Sequence, residues 1–455
     1  MSLASIDPAT GKVIHRYEEA SPEEVLKDLA HMQKAFVGWS GLAFEERAAC
    51  FRRLSAILKE RTGSCAEIIT AEMGKPITQS RAEVAKCAWV CDYYAENAAL
   101  FLKSEAVTTE ARKSYMAFEP LGIVLAIMPW NFPFWQFFRA AVPAMMAGNV
   151  MILKHASNVC GSALAIRDLF YLAGFPAGTF KAPLLSSARV SSLIQDPRVR
   201  GVTLTGSVPA GRMVAAEAGK YLKKTVLELG GSDPYLILED ADLAKAAEIC
   251  ATSRLINSGQ TCISAKRFIV VESVRLKFEG LLIEAMKSRI VGDPREERTS
   301  IGPMARQDLR DELHGQVTDS IRQGAKLLLG GEIPKGPGAY YPATVLTAVK
   351  KGMRVFDEET FGPVAAIVSV KDERGAIQAA NDTVFGLGAA VFTSDLERGR
   401  RIAEKELRAG LCFVNDLVKS DPRLSFGGVG ESGYGRELGI FGIREFVNIK
   451  TVWIA

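Results

Sequence analysis

A single cysteine closes the segment Asn257-Ser258-Gly259-Gln260-Thr261-Cys262. An apolar, helix-spaced run precedes it over residues 246–256, and the strand-like run Arg267-Phe268-Ile269-Val270-Val271-Glu272 follows. A thiol on such a polar, glycine-containing loop is partly reachable, whereas most free cysteines pack in cores. It attacks only as thiolate, so it needs a local reason to ionise. No histidine stands near it in sequence, which gives a Cys–His hydrolase no support. Taken alone, such a residue is more often an inert structural thiol. Two other residues have types suited to chemistry. Glu228 ends the apolar run Thr225-Val226-Leu227 ahead of Gly230-Gly231, and Asn131 stands inside Pro129-Trp130-Asn131-Phe132-Pro133. A lone strand-end glutamate is ordinarily a solvated surface group. An asparagine before Phe-Pro is ordinarily a turn residue.

These segments, in this order and followed by Glu358-Glu359-Thr360-Phe361-Gly362-Pro363, resemble the aldehyde dehydrogenase superfamily. The resemblance runs from Asp7-Pro8-Ala9-Thr10-Gly11-Lys12 almost to the C-terminus, and within the superfamily it is strongest to the short bacterial succinate-semialdehyde dehydrogenases. It implies an α/β protein with a Rossmann-type cofactor domain, an α/β catalytic domain and a small β oligomerisation arm. The expected boundaries are 1–111 with 128–228 for NAD(P) binding, 229–430 for catalysis, and 112–127 with 436–455 for the arm. By resemblance Cys262 is the nucleophile, Asn131 and the Cys262 backbone N–H hold the oxyanion, and Glu228 is the general base that releases the thioester. The expected reaction is oxidation of succinate semialdehyde to succinate. Another aliphatic or aromatic aldehyde is the nearest alternative, and a non-catalytic NAD(P)-binding protein is the alternative of a different class. A CoA-acylating enzyme fits less well, because Glu228 is present for hydrolysis.

The cofactor site carries no G-x-G-x-x-G after a strand. Instead Thr205-Gly206-Ser207 precedes a helix, whose N-terminus can hold a pyrophosphate through free N–H groups and the helix dipole; alone it reads more readily as a simple N-cap. The family uses this segment for the pyrophosphate. By the same resemblance Glu359 holds the nicotinamide ribose, Phe361 packs beside it, and Pro129, Trp130 and Leu229 line the cofactor. Lys154 matches the lysine at the adenosine ribose. Three residues on, where NAD-preferring members often carry glutamate, this chain has Ser157. Serine removes the repulsion of a 2′-phosphate and offers a hydroxyl, while Lys154 adds positive charge, so NADP is slightly favoured over NAD. The neighbouring His155 is expected at the surface. For the substrate, Arg139 matches an arginine that takes the distal carboxylate of a 4-oxo acid, Ser420 is a second contact and Trp135 walls the channel. One departure stands out: Ile256 occupies the position where longer members of this activity often place a second arginine, and Arg254 lies two residues earlier. Ser264 stands where some relatives carry a second cysteine, so no disulfide can form within the loop.

The elements that position these residues follow from periodicity. Ser21-Pro22-Glu23-Glu24 predicts a helix start, with a capping serine, proline in the first turn and early acids. Further helices are expected over 43–62, 65–72 and 80–102. Strands at 123–128, 150–154, 199–204 and 222–229, alternating with helices, argue for a parallel sheet whose ligands sit at the strands' C-terminal ends. A second alternation is expected from 230 to 430: a helix over 243–257, then strands at 268–272, 326–329, 343–346, 364–369, 389–393 and 410–414. The terminal run Phe446–Ile454 is a hydrophobic strand that would aggregate if left bare; pairing with another subunit predicts a homodimer or homotetramer.

Composition sets the outer bounds. A chain of 455 residues is too long for one ordinary core. The net charge of +4, with acids and bases interspersed, argues against a nucleic-acid partner. The eight cysteines fit neither a zinc-site nor a secreted disulfide spacing, and the four histidines pair with none of them, so no metal is expected. No signal-like or bilayer-length apolar run is present, which predicts a cytoplasmic enzyme without a membrane partner.

Overall fold

Ser21 Oγ accepts from the Glu24 N–H at 3.2 Å while Glu24 accepts from the Ser21 N–H at 2.7 Å, so the capping box read from the sequence starts the helix Pro22–Gly41. The computed structural model describes residues 3–455; Met1 and Ser2, part of the expected N-terminal strand, lie outside the described residues. Three more helices follow, Phe44–Glu60, Thr62–Met73 and Ile77–Phe101. Pro22–Gly41 packs on the strands of a six-stranded sheet, and the other three pack mainly on the helices Trp135–Met146 and Cys160–Leu172 that lie against it.

That sheet has the order Gly433–Tyr434, Lys224–Glu228, Val199–Thr205, Ile123–Met128, Val150–His155, Phe180–Lys181. Every neighbouring pair is parallel except the first, where Gly433 lies opposite Glu228. The chain enters at Ile123–Met128, builds outward to one side, then crosses to Val199–Thr205 on the other. The order therefore reverses between these two strands, and a ligand crevice opens beyond their C-terminal ends. The strand expected over 222–229 begins only at Lys224; Leu222 is instead left-handed (φ 52°) and 95% exposed.

A second, seven-stranded sheet has the order Lys326–Leu329, Thr344–Thr347, Val364–Val370, Arg267–Val271, Pro234–Ile237, Gly388–Phe392, Leu411–Val414. Only its first pair is antiparallel. The strand Pro234–Ile237 was not expected. It is four residues long, follows Gly-Gly-Ser-Asp and opens on a proline, all turn signals. A proline is tolerated as the first residue of a strand, where its missing N–H breaks no ladder.

The arm is a three-stranded antiparallel sheet in which Val447–Ile454 pairs with Lys113–Pro120 along its whole length. Residues 123–127, expected in the arm, belong instead to the six-stranded sheet; Leu121-Gly122 turns the chain between the two. Asn149 secures that turn. Its Oδ1 accepts from the Leu121 and Gly122 N–H groups at 2.8 and 3.0 Å, and its Nδ2 donates to Ala144 O at 3.0 Å and Phe446 O at 2.9 Å. All four bonds are buried or nearly so, and Asn149→Ala would strand two N–H groups and the Phe446 carbonyl at once, while Ala144 O keeps the residue 149 backbone N–H at 3.1 Å. We expect a loss of about 3–5 kcal/mol, read as a lowered melting temperature with the arm released first in hydrogen exchange.

Candidate active site

The loop before Cys262 is held in a conformation that L-residues avoid. The helix Leu243–Leu255 ends short of the expected 257, and Asn257, Ser258 and Gly259 have φ of 56°, 53° and 76°. Three successive left-handed residues persist only where their surroundings over-determine them. Here Asn257 N–H donates to Gln79 Oε1 at 2.7 Å, Asn257 Nδ2 to Asn131 O at 2.8 Å, and Ser258 Oγ to Gly302 O at 2.9 Å. Ala305 N–H donates to Gln260 Oε1 at 2.9 Å. A Cβ on Gly259 would stand 2.2 Å from Gly362 O, so glycine alone fits there. After the turn, the buried ammonium of Lys266 donates to Cys262 O at 2.6 Å.

Cys262 lies on the wall of two cavities. The first, of about 550 Å³, is also lined by Pro129, Trp130, Asn131, Thr205, Gly206, Ser207, Leu229, Glu359 and Phe361. These residues come from the strand ends where the sheet order reverses, and from the second sheet facing them. The second cavity, of about 290 Å³, is lined by Trp135, Arg139, Ser420, Phe132, Ile263 and Phe426 among others. Most residues singled out in the sequence thus meet at one thiol.

In the first cavity the helix Val208–Lys220 starts without a side-chain cap, leaving the Ser207 hydroxyl and the first-turn N–H groups unclaimed. A Cβ on Gly206 would meet nothing closer than 3.9 Å, so the approach is open. Trp130 and Phe361 meet edge to face, 5.7 Å between centroids. Glu359 accepts from the Gly231 N–H at 3.0 Å and lies 3.6 Å from Lys266 Nζ; burial raises its carboxyl and Lys266 opposes that. The cavity's size, open helix end, flat aromatics and free carboxylate oxygen fit a dinucleotide.

Lys154, near the end of the strand Val150–His155, and Ser157, just after it, lie one strand away and do not line this cavity. Lys154 is buried, which lowers its ammonium, and Ser157 is exposed. His155 is corrected: it is buried, not at the surface. Its Nε2 lies 2.9 Å from Pro133 O and its Nδ1 3.2 Å from Met128 O. Burial pulls it down to about 4, so it adds no charge near Lys154.

Asn131 spends one amide hydrogen on Gln260 O at 3.1 Å, which leaves the other for the cavity wall it shares with Cys262. Glu228 is not on the wall of either cavity. It is 2% exposed, and neither carboxyl oxygen has a hydrogen-bond partner. Burial, then the nearby Glu437 carboxylate, pushes it well above the usual carboxylate range; Arg139 and Arg436 act against this. Burial likewise pushes the Cys262 thiol up to about 12, against the pull of Arg139 and Lys266. Burial therefore disfavours the ionised form of both the thiol and the carboxyl, and the nearby cations act against it.

Arg139 reaches the second cavity already engaged. Its Nε is bonded to Glu437, its Nη2 lies 3.3 Å from Thr205 Oγ1, and its guanidinium sits 4.2 Å over the Phe426 ring. Arg254, two residues before Ile256, turns away and donates to Gly259 O, bracing the loop rather than the cavity. Sequence reasoning missed Gln79, Glu83 and Lys86, all on the cavity side of the helix Ile77–Phe101. Their spacing of four and three was the available signal: polar residues recurring on one face of a helix that is otherwise packed. Among the described residues no group of three or more His, Cys, Asp or Glu could hold a metal ion.

Comparison with known proteins gives a consistent picture. The sequence pattern of the aldehyde dehydrogenase family matches residues 1–452. A probable NADP(+) succinate-semialdehyde dehydrogenase of Synechocystis is 48% identical over 455 residues, spanning 100% of both chains. An NAD(P)+ succinate semialdehyde dehydrogenase of Escherichia coli is 47% identical over 449 residues, covering 99% of this chain and 97% of its own. Among solved structures, succinic semialdehyde dehydrogenase from Streptococcus pyogenes in complex with NADP+ superposes with a TM-score of 0.97 at 37% identity, covering 99% of each chain.

A thiol held near 12 should be slow to alkylate at neutral pH. With iodoacetamide and mass-spectrometric readout at Cys262, the rate should climb about tenfold per pH unit from 7 to beyond 9. A rate that levels off below pH 8 would instead show a preformed thiolate.

Proposed function

The chain belongs to the aldehyde dehydrogenase family, and we propose that it oxidises succinate semialdehyde to succinate with NADP in preference to NAD. One observation carries this reading: Cys262 is shared by a cavity suited to a dinucleotide and a smaller, apolar-walled cavity with cations along it. A carbonyl carbon bonded to the sulfur would stand between the two. The relatives named for succinate semialdehyde and NADP(+) or NAD(P)+ support the substrate and the cofactor.

In the proposed mechanism the Cys262 sulfur, once ionised, adds to the aldehyde carbon. The oxygen that becomes negative is met by the free Asn131 Nδ2 hydrogen and the Cys262 N–H. A nicotinamide held beside Trp130, Glu359 and Phe361 would supply the hydride acceptor that oxidation of that carbon to a Cys262 thioester requires. A water then attacks the thioester carbon, Glu228 as carboxylate takes its proton, and the C–S bond breaks to return the thiolate. Glu228 must swing from its buried position to do so, and its lack of hydrogen bonds leaves it free to move. Arg139 and Arg436 favour its ionised form. Arg139, Ser420 and Trp135 face the remainder of the substrate, and Lys154 with Ser157 faces the adenosine end of the cofactor.

The six-stranded sheet with its helical layer forms the cofactor domain of this proposal, and the seven-stranded sheet forms the catalytic domain. The arm of Lys113–Pro120 and Val447–Ile454 joins subunits in a homodimer or homotetramer. Its support is a terminal strand paired on one side only, with Ile449, Trp453 and Ile454 exposed. A cytoplasmic setting is supported by eight cysteines that are all free.

Initial rates with succinate semialdehyde should give a higher kcat/KM with NADP than with NAD, and Ser157→Glu should reverse that order by placing a carboxylate against the 2′-phosphate. If hexanal or benzaldehyde is turned over and succinate semialdehyde is not, the substrate reading fails; NADPH binding with no turnover on any aldehyde leaves only a binding protein. Glu228→Gln should lower kcat by about 10²–10⁴-fold. Its melting temperature should hold or rise, because the amide replaces a buried, unpartnered carboxyl.

A further inference from the structure

The family resemblance assigns the distal carboxylate of the substrate to Arg139, yet that guanidinium is already bonded to Glu437 inside the protein. The cavity behind Cys262 is lined by two other cations, Lys86 and Lys419. Lys419 is half exposed and paired with Asp416 at 2.7 Å. Lys86 alone of the three has no carboxylate partner among the described residues. Neutral groups hold it: its Nζ donates to Ser420 Oγ at 2.7 Å and lies 4.5 Å over the Trp135 ring. The acids around it are committed elsewhere. Glu83, one turn earlier on the same helix, is bonded to Lys75 and accepts from the Phe134 and Trp135 N–H groups at 2.9 and 3.0 Å. Asp421, on the loop that carries Ser420, is paired with Arg423 at 2.7 Å.

We propose that Lys86, with Ser420, is the receptor for the carboxylate of an aldehyde acid bound in this cavity, and so sets the enzyme's preference for acidic over neutral aldehydes. An ammonium has three donors, and only one is used. Ser420 Oγ already accepts twice, from Lys86 and from Trp135 Nε1 at 3.1 Å, so its own hydrogen is free to donate. Together they present charge-assisted donors at one point of a cavity whose other walls, Phe132, Ile263, Leu417 and Phe426, suit methylene groups. A partly buried cation without a counter-ion gains more from an arriving carboxylate than one already neutralised. Burial, then repulsion from Arg139 on the facing helix, pulls the Lys86 ammonium down to about 8; Cys87, Asp421 and Glu83 act against this. In the free enzyme it is therefore charged at pH 7 and loses its charge as pH rises through 8.

This inference rests on the proposed substrate, and one experiment separates the two. kcat and KM are measured for succinate semialdehyde and for butanal at saturating NADP, in the unsubstituted enzyme, Lys86→Met and Lys86→Arg. If the unsubstituted enzyme shows no preference for succinate semialdehyde over butanal, the substrate reading falls and this inference with it. Given that preference, Lys86→Met should cut the succinate semialdehyde to butanal ratio of kcat/KM by about 10- to 100-fold, mainly through KM, and Lys86→Arg should keep most of it. A ratio unchanged in Lys86→Met would overturn the role of Lys86 and leave the substrate reading standing. Should that variant fail to fold, the unsubstituted enzyme decides. Its KM for succinate semialdehyde should rise between pH 7 and 9.5 while that for butanal does not, and parallel profiles for the two aldehydes would overturn the proposal.

Discussion

A buried ion pair, Arg139 with Glu437, stands where the parts of this molecule meet. Arg139 comes from the helix Trp135–Met146, and Glu437 from the segment that returns from the second sheet to the first. Strand Val199–Thr205 clamps both, Thr205 Oγ1 at 3.3 Å from Arg139 and Thr203 Oγ1 at 3.2 Å from Glu437. Desolvating two charges is expensive, and a buried pair adds little stability over a well-packed apolar one. What this pair supplies is field. Arg139 pulls the Cys262 thiol and the Glu228 carboxyl toward their ionised forms, and Glu437 holds Glu228 back. Both proposed reacting groups therefore feel one fixed source of charge, which no water has to reorganise to provide.

The same arrangement explains why the site needs two sheets. A thiol that bonds to an aldehyde carbon must have substrate on one side and a hydride acceptor on the other, with bulk water kept from both. The six-stranded sheet gives the crevice at its reversal of strand order. The seven-stranded sheet presents the loop of Cys262 to it, and Glu359 and Phe361 close the same wall. The left-handed turn at Asn257–Gly259 aims that loop, and its strain is held by bonds to Gln79, Asn131 and Gly302, which belong to separate parts of the fold.

Contiguous signals were legible in the sequence, and distant pairings were not. The Ser21 capping box, the apolar run Ile123–Met128 and the short motifs around Asn131, Cys262 and Glu359 each carry their message within a few residues. The structure gathers most of those side chains at one thiol. Arg139 was picked out by position, but its partner lies 298 residues away, and nothing local says that its charge is already answered. Lys86 escaped notice because a lysine on a helix reads as solvated; the Ser420 that holds it is 334 residues on. His155 looked like surface because it follows a lysine at a strand end, whereas two backbone carbonyls enclose it. Pro234–Ile237 was hidden by its proline and the turn residues before it, signals that central burial overrides.

The stretch from Ser420 to Ile454 carries a disproportionate share of the chemistry. Ser420 lines the second cavity, and Phe426 lies against Arg139. Gly427, with φ of 155°, leaves room for the Glu228 carboxyl, which a Cβ there would approach to 2.8 Å. Phe426 and Glu437 exchange backbone hydrogen bonds of 2.6 and 2.7 Å, closing a loop between which Gly433 pairs with Glu228 itself. Only then does the chain run out as the arm strand Val447–Ile454. The proposed general base, if it is to move, needs space on one side and a firm backbone on the other. Taking both from the segment that also roots the arm means that whatever the arm packs against bears on the position of Glu228, through a backbone that has few ways to give.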